Sequence, residues 1–235
     1  MISAQTLFFA LLGGVLPALL WLWFWLKEDR RPEPRSLILL TFIVGMVVVP
    51  LVIPPQKFFL TYFSGTILIV IWAAIEELFK YFGAHLAVLR RRAMNEPIDA
   101  MIYMITIALG FAAIENTLFL LNPLSDGAII EGILTGNLRF FGATLLHVLA
   151  SATIGAAIAL SFYKAPHIKR RFLWIGIVLA IALHAVFNLF IINSKGESIL
   201  FVFLGVWLGA ILLILFFEKI KRIRKPNFRF IRQRK

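Results

Sequence analysis

Two adjacent glutamates, Glu76 and Glu77, lie within residues 61–85, a stretch that is otherwise almost entirely apolar. A carboxylate in the membrane core costs on the order of 3 kcal/mol even on lenient insertion scales, so a neighbouring pair indicates function. Lys80 follows Glu76 by four residues and therefore shares one helix face with it, which makes it a candidate countercharge. Lys80 could instead form a purely structural ion pair or extend towards the membrane surface.

Polar residues also interrupt three other apolar segments, which contain Glu115, His147 and the pair His184 and Asn188. Counted at the rise of a helix from the charged segment ends, these residues lie at comparable depth in a membrane. A desolvated glutamate can take a proton from water, while imidazole and carboxamide groups can bind an oxyanion or a metal. The set therefore predicts a hydrolytic site.

Glutamate and histidine are also ligands of Zn²⁺, and the candidate ligands are Glu77, Glu115, His147 and His184. Their spacing is not that of a His-Glu-x-x-His zinc helix, so any such ligands would come from separate helices. The chain contains no cysteine, which excludes thiolate ligands and a cysteine nucleophile. These residues permit Zn²⁺ but do not require it.

The elements that must position these residues are membrane helices. The 235 residues are 61% hydrophobic and 15% charged, with a mean hydropathy of +0.91, which is typical of a multi-pass membrane protein. We predict an all-α bundle of about seven transmembrane helices, and Pro50, Pro54 and Pro55 should break or end the second. The predicted segments are residues 5–26, 37–56, 62–88, 97–121, 139–163, 172–193 and 198–217.

The basic residues fall in alternate connections between these segments. By the positive-inside rule this places the N-terminus outside and the C-terminus in the cytoplasm of a cell-membrane protein. Residues 1–218 form one predicted helical domain with a catalytic core at about 62–193, followed by a basic tail, 219–235. Nine of the 24 Lys and Arg residues lie in that tail. We expect the tail to bind anionic lipid, and no nucleic-acid partner is predicted.

Four motifs, taken in order, resemble the PrsW family of intramembrane proteases. Glu76-Glu-Leu-Phe-Lys80 resembles its E-E-x-x-K motif, and Gly110-Phe-Ala-Ala-Ile-Glu-Asn116 is similar to its G-F-A-x-x-E-N segment. Arg139 with His147 and the small residues that follow is similar to its third element, and Leu183-His-Ala-Val-Phe-Asn188 to its fourth. The similarity covers residues 70–190. Prenyl endopeptidases of the wider superfamily have a histidine where this chain has Glu115.

The resemblance implies an intramembrane endopeptidase that hydrolyses a membrane-anchored protein, such as an anti-sigma factor in regulated intramembrane proteolysis. It implies that Glu76 or Glu77 activates the water and that Asn188 stabilises the oxyanion. The further residues implied for the site are Glu115, His147 and His184, with Lys80, Asn116 and Arg139 in supporting positions.

Two other classes of function use similar residues. A proton- or ion-coupled transporter also needs intramembrane Glu and His, although the chain lacks the internal repeat common in transporters. A non-catalytic scaffold or immunity protein could share the fold, because a fold does not fix an activity.

Overall fold

The computed structural model of the chain describes residues 3–29, 31–193 and 198–224. All secondary structure in these ranges is helical, as predicted. The helices are α1 (Ala4–Lys27), α2 (Arg35–Leu60), α3 (Gly65–Ala84), α4 (Pro97–Ser125), α5 (Ile129–Leu138), α6 (Thr144–Leu160), α7 (Pro166–Asn193) and α8 (Ser198–Ile220).

Six spans of the described chain are long and apolar enough to cross a membrane, which confirms the prediction of a multi-pass membrane protein. One of them combines α5 and α6, which a π-helical turn, Arg139–Ala143, joins. Helix α3 continues through a second π-helical turn, His85–Leu89, and carries three buried ionisable residues instead of a fully apolar sequence.

Connections that were predicted to lie on the same side of the membrane meet at one end of the bundle. The Arg31 guanidinium is paired with Glu96 of the next predicted inner connection. Lys221, just beyond α8, donates to Glu28 beyond α1 at 3.0 Å. The orientation of the bundle and the division into membrane domain and tail remain predictions, and residues 225–235 of the tail lie outside the described residues.

Helix α4 lies at the centre of the bundle and packs against α1, α2 and α6. Two glycines allow α2 and α4 to cross closely. A Cβ on Gly110 would lie 2.0 Å from the Phe42 carbonyl oxygen, and one on Gly45 would lie 2.2 Å from the Ile107 carbonyl oxygen. Such small residues let the backbones of membrane helices approach each other. Gly110 thereby fixes the helix that carries Glu115.

The prediction that α2 breaks or ends at its prolines is wrong. The helix continues past Pro50, Pro54 and Pro55 to Leu60. A proline removes one backbone donor but keeps a helical φ, and neighbouring membrane helices commonly compensate for the lost bond. The additional turn carries Gln56 towards α3.

The segment between the fourth and fifth predicted helices was expected to be a loop, and this expectation is also wrong. Most of it is α5, which runs through the π-helical turn into α6. Gly132 and Gly136 weaken the intrinsic helix propensity of this segment, which explains why its sequence resembles a loop. The turn at the junction begins with Arg139 and aims that side chain at α4.

Candidate active site

Glu77 is completely buried and accepts three hydrogen bonds from three directions. Its Oε1 accepts from Lys80 Nζ at 2.7 Å and from His184 Nδ1 at 2.8 Å, and its Oε2 accepts from Ser151 at 2.9 Å. A buried carboxylate is tolerated when charged and neutral donors satisfy it in this way. Glu77 therefore joins α3, α6 and α7 and has no free oxygen with which to react.

The hydrogen bond to Glu77 determines the protonation pattern of His184. The Glu77 carboxylate can only accept, so His184 Nδ1 carries a proton, and in the neutral ring Nε2 keeps its lone pair. Carboxylates orient metal-ligating and catalytic histidines in the same way. His184 Nε2 is thus available as a base, an acceptor or a ligand.

His147 has the opposite arrangement, because Lys80 Nζ lies 2.9 Å from its Nδ1. An ammonium group only donates, so Nδ1 accepts and the proton is on Nε2, which lies 2.9 Å from Glu115 Oε2. Both ring nitrogens of His147 are therefore occupied. Lys80 is fully buried and lies 4.3 Å from the centre of the Phe111 ring, so it does not extend to the membrane surface.

Glu115 links the buried His147 to the more exposed Arg139. Arg139 donates to Glu115 Oε2 through Nη2 and to Asn116 Oδ1 through Nε, and Asn116 in turn donates to Thr144 at 2.9 Å. The side chains of Glu115 and Arg139 are 20% and 16% exposed, compared with 9% or less for the glutamates, lysine and histidines deeper in the network. Glu115 and Arg139 are therefore more exposed than the residues deeper in the network.

Glu76 is the carboxylate of the network that has a free buried oxygen. Its Oε1 accepts from Gln56 Nε2 at 3.0 Å, whereas its buried Oε2 has no hydrogen-bond partner among the described residues. That oxygen lies 3.7 Å from His184 Nε2 and 3.8 Å from Lys80 Nζ. A water about 2.8 Å from each acceptor could bridge Glu76 Oε2 and His184 Nε2.

The same two atoms also suit a metal ion. Glu76, His147 and His184 offer ligand atoms that all lie within 4.8 Å of one another. Tetrahedral ligands at about 2.0–2.1 Å from Zn²⁺ stand roughly 3.3 Å apart, close to the separation of Glu76 Oε2 and His184 Nε2. The unpartnered Glu76 oxygen supports this fit, while His147 would have to exchange one of its present partners.

The structure brings together most of the residues that the sequence predicted, in one hydrogen-bonded network. Asn188 lies one turn beyond His184 on α7, is half-buried, and has no side-chain hydrogen bond among the described residues. Among the predicted ligands, Glu77 and Glu115 lie outside the group that could hold a metal, which instead includes Glu76. Sequence reasoning missed Gln56 and Thr144. An amide directly after Pro54 and Pro55 was the available signal for Gln56.

Comparisons with known proteins agree with the motifs. The profile of the PrsW family, described as intramembrane metalloproteases, matches residues 33–216. The chain is 25% identical to Protease PrsW of Geobacillus kaustophilus over 224 residues, covering 92% of this chain and 91% of that protein. It is 24% identical to Protease PrsW of Bacillus subtilis over 232 residues, covering 92% and 95%. No solved structure matches.

Proposed function

Because this chain belongs to the PrsW family and is an intramembrane protease of protein substrates, we propose that its peptide-cleaving water lies between Glu76 Oε2 and His184 Nε2. The observation that carries the proposal is the pairing of these two acceptor atoms at 3.7 Å, one of them buried without a partner. Glu76 Oε2 takes the proton of the water as it attacks the peptide carbonyl and then returns a proton to the leaving amine.

Glu77 and Lys80 position the reacting groups in this proposal. Glu77 fixes the ring of His184 with Nε2 towards the water, and Lys80 balances the charge of Glu77. Preorganised neighbours of this kind lower the cost of reorganisation during the reaction. Asn188, one helical turn from His184, is the proposed donor to the oxyanion, through its side-chain amide.

The metal that the family description names would be an alternative use of the same atoms, because a Glu76 oxygen bound to a metal is not free to take the proton of the water. A Zn²⁺ ion would be held by Glu76, His184 and His147, where it would acidify a bound water and polarise the scissile carbonyl. The carboxylate and imidazole donors of this group suit that ion better than Ca²⁺ or Mg²⁺, which prefer all-oxygen sites.

The substrate is proposed to be a membrane-anchored protein of the anti-sigma-factor type, cut in the outer half of the membrane. Glu115 lies in the half of α4 that the charge distribution predicts to face outwards, and Arg139 pairs with it from the junction of α5 and α6.

The basic tail is proposed to bind anionic lipid at the cytoplasmic surface. Its nine Lys and Arg residues directly follow a membrane helix. Mass spectrometry of lipids that co-purify with the full chain tests this proposal. Replacing the tail arginines should reduce bound phosphatidylglycerol, and unchanged lipid content would contradict the idea.

Hydrolysis is tested with purified protein in vesicles that contain a panel of single-span membrane proteins tagged at both ends. In water labelled with ¹⁸O, the wild type should produce fragments whose new carboxyl group carries the label. His184→Ala should produce none, whereas His167→Ala, a change at an exposed histidine, should match the wild type. Equal cleavage by both variants would contradict the proposed site, and proton flux without any cleavage would instead support a transporter.

A further inference from the structure

Gln56 contacts Glu76 but belongs to none of the motifs that identify the site. Its side-chain Nε2 donates to Glu76 Oε1 at 3.0 Å. The backbone carbonyl of Gln56 accepts from Trp72 Nε1 of α3 at 3.2 Å, so the residue is fixed at both its main chain and its side chain. Gln56 is half-buried on the part of α2 that continues past the prolines.

The two glutamates differ greatly in how firmly they are held. Glu77 accepts three hydrogen bonds, whereas Glu76 accepts one, and Gln56 donates it. Without that donor, both oxygens of Glu76 would be unsatisfied in a buried position. Such a group is costly and turns towards whatever donor it can reach.

The nearest competing donor for Glu76 is Lys80, whose Nζ lies 3.8 Å from Oε2. A rotation of the Glu76 carboxylate would close this distance to a direct ion pair. Oε2 would then accept from Lys80, which already donates to Glu77, and would no longer be free beside His184 Nε2. The hydrogen bond from Gln56 opposes this rotation, because it holds the other oxygen on the α2 side.

We infer that Gln56 is a positioning residue that fixes the Glu76 carboxylate so that Oε2 faces His184. This inference rests on the proposed function, in which Glu76 Oε2 takes the proton of the water. An amide suits this position because it donates a hydrogen bond without adding a charge that would neutralise Glu76. A misplacement of about 1 Å in a reacting group can lower a rate about 100-fold.

The inference is tested by Gln56→Met, which keeps the length of the side chain but removes the donor, with Gln5→Met on exposed α1 as the matched control. The assay uses the single-span protein of the panel that the wild type cleaves fastest. Gln56→Met should lower kcat about 10- to 100-fold with KM within about twofold. Gln5→Met should behave as the wild type.

A purely structural role would give a different pattern, in which thermal stability falls, KM changes together with kcat, and the lost activity matches the lost folded protein. That pattern, or an unchanged kcat, would overturn the inference. If Gln56→Met does not fold, Gln56→Leu removes the donor with a different apolar side chain and should show the same loss of kcat. Glu76→Gln separates the role of Glu76 from the role of Gln56. If Glu76→Gln is inactive and Gln56→Met is fully active, only the role of Gln56 is refuted. If Glu76→Gln is active, both roles are refuted.

Discussion

Glu76 Oε2 and His184 Nε2 face each other at 3.7 Å, although the two residues lie on different helices and are more than a hundred positions apart in the chain. The adjacent Glu77 is bound to the other nitrogen of the same histidine ring. The two neighbouring carboxylates therefore differ in their surroundings: Glu76 keeps an oxygen without a hydrogen-bond partner among the described residues, and Glu77 holds the histidine ring beside it.

Glu77→Gln should destabilise the protein more than Glu76→Gln does. Loss of the Glu77 charge leaves Lys80 buried without its closest partner, which typically costs about 3–5 kcal/mol. Glu76→Gln keeps that ion pair and should cost less than about 1 kcal/mol. Thermal unfolding in detergent measures both variants. Equal melting temperatures would show that Glu77 is not the structural member of the pair.

Removal of divalent ions distinguishes the two uses of Glu76. If Zn²⁺ is bound, dialysis against 1,10-phenanthroline should abolish cleavage, and added Zn²⁺ should restore it. The wild type should then contain about one ion per chain by elemental analysis, and His184→Ala should contain much less. Full activity in protein free of metal would contradict the metal site and leave Glu76 Oε2 as the base.

The crossing of α2 and α4 should tolerate no side chain at Gly110. A Cβ there would lie 2.0 Å from the Phe42 carbonyl oxygen, so Gly110→Ala must separate the helices and should cost about 1–3 kcal/mol or more. Gly205→Ala on α8 is the matched control, since no atom of the described residues lies within 4 Å of its added Cβ. Similar melting temperatures for the two variants would contradict this packing.

Glu33, in the connection between α1 and α2, should make stability depend on pH. Burial raises the pKa of the Glu33 carboxyl to about 7. The hydrogen bond from Tyr103 acts to lower this pKa, whereas the nearby carboxylates of Asp99 and Asp29 act to raise it. The folded state thus holds the proton more tightly than the unfolded state, so stability from this group is greatest at low pH and is lost as pH rises through about 7.

The measurement for Glu33 is the melting temperature at about pH 5 and pH 8 in the wild type and in Glu33→Gln. The wild type should lose stability between these values, and the variant, which cannot ionise there, should lose less. A loss of the same size in both proteins would show that Glu33 is not the responsible group.

The sequence predicts the membrane helices and most of the site because both signals are local. Apolar length predicts the spans, and a Glu or His within such a span is rare enough to indicate function. The order of the four motifs then indicates the family. The network confirms that Glu77, Lys80, His147 and His184 lie together, as their similar depth suggested.

The roles within the site could not be predicted, because they depend on which donors other helices bring to each side chain. Glu76 and Glu77 are adjacent in sequence, yet Ser151 and His184 both donate to Glu77. Gln56 was missed for a related reason. Pro54 and Pro55, which precede Gln56, indicate the end of a helix. In the structure α2 continues past them and brings Gln56 to α3.

The most direct test of the central claim is the rate at which Glu76→Gln cleaves the tagged single-span protein in vesicles, with Glu131→Gln at an exposed glutamate of α5 as control. Loss of the group that takes the proton should lower kcat by about 100-fold or more. We expect Glu76→Gln to melt near the wild-type temperature without measurable cleavage, while Glu131→Gln stays fully active. Cleavage by folded Glu76→Gln at the wild-type rate would contradict the assignment of the reactive water to Glu76 and His184.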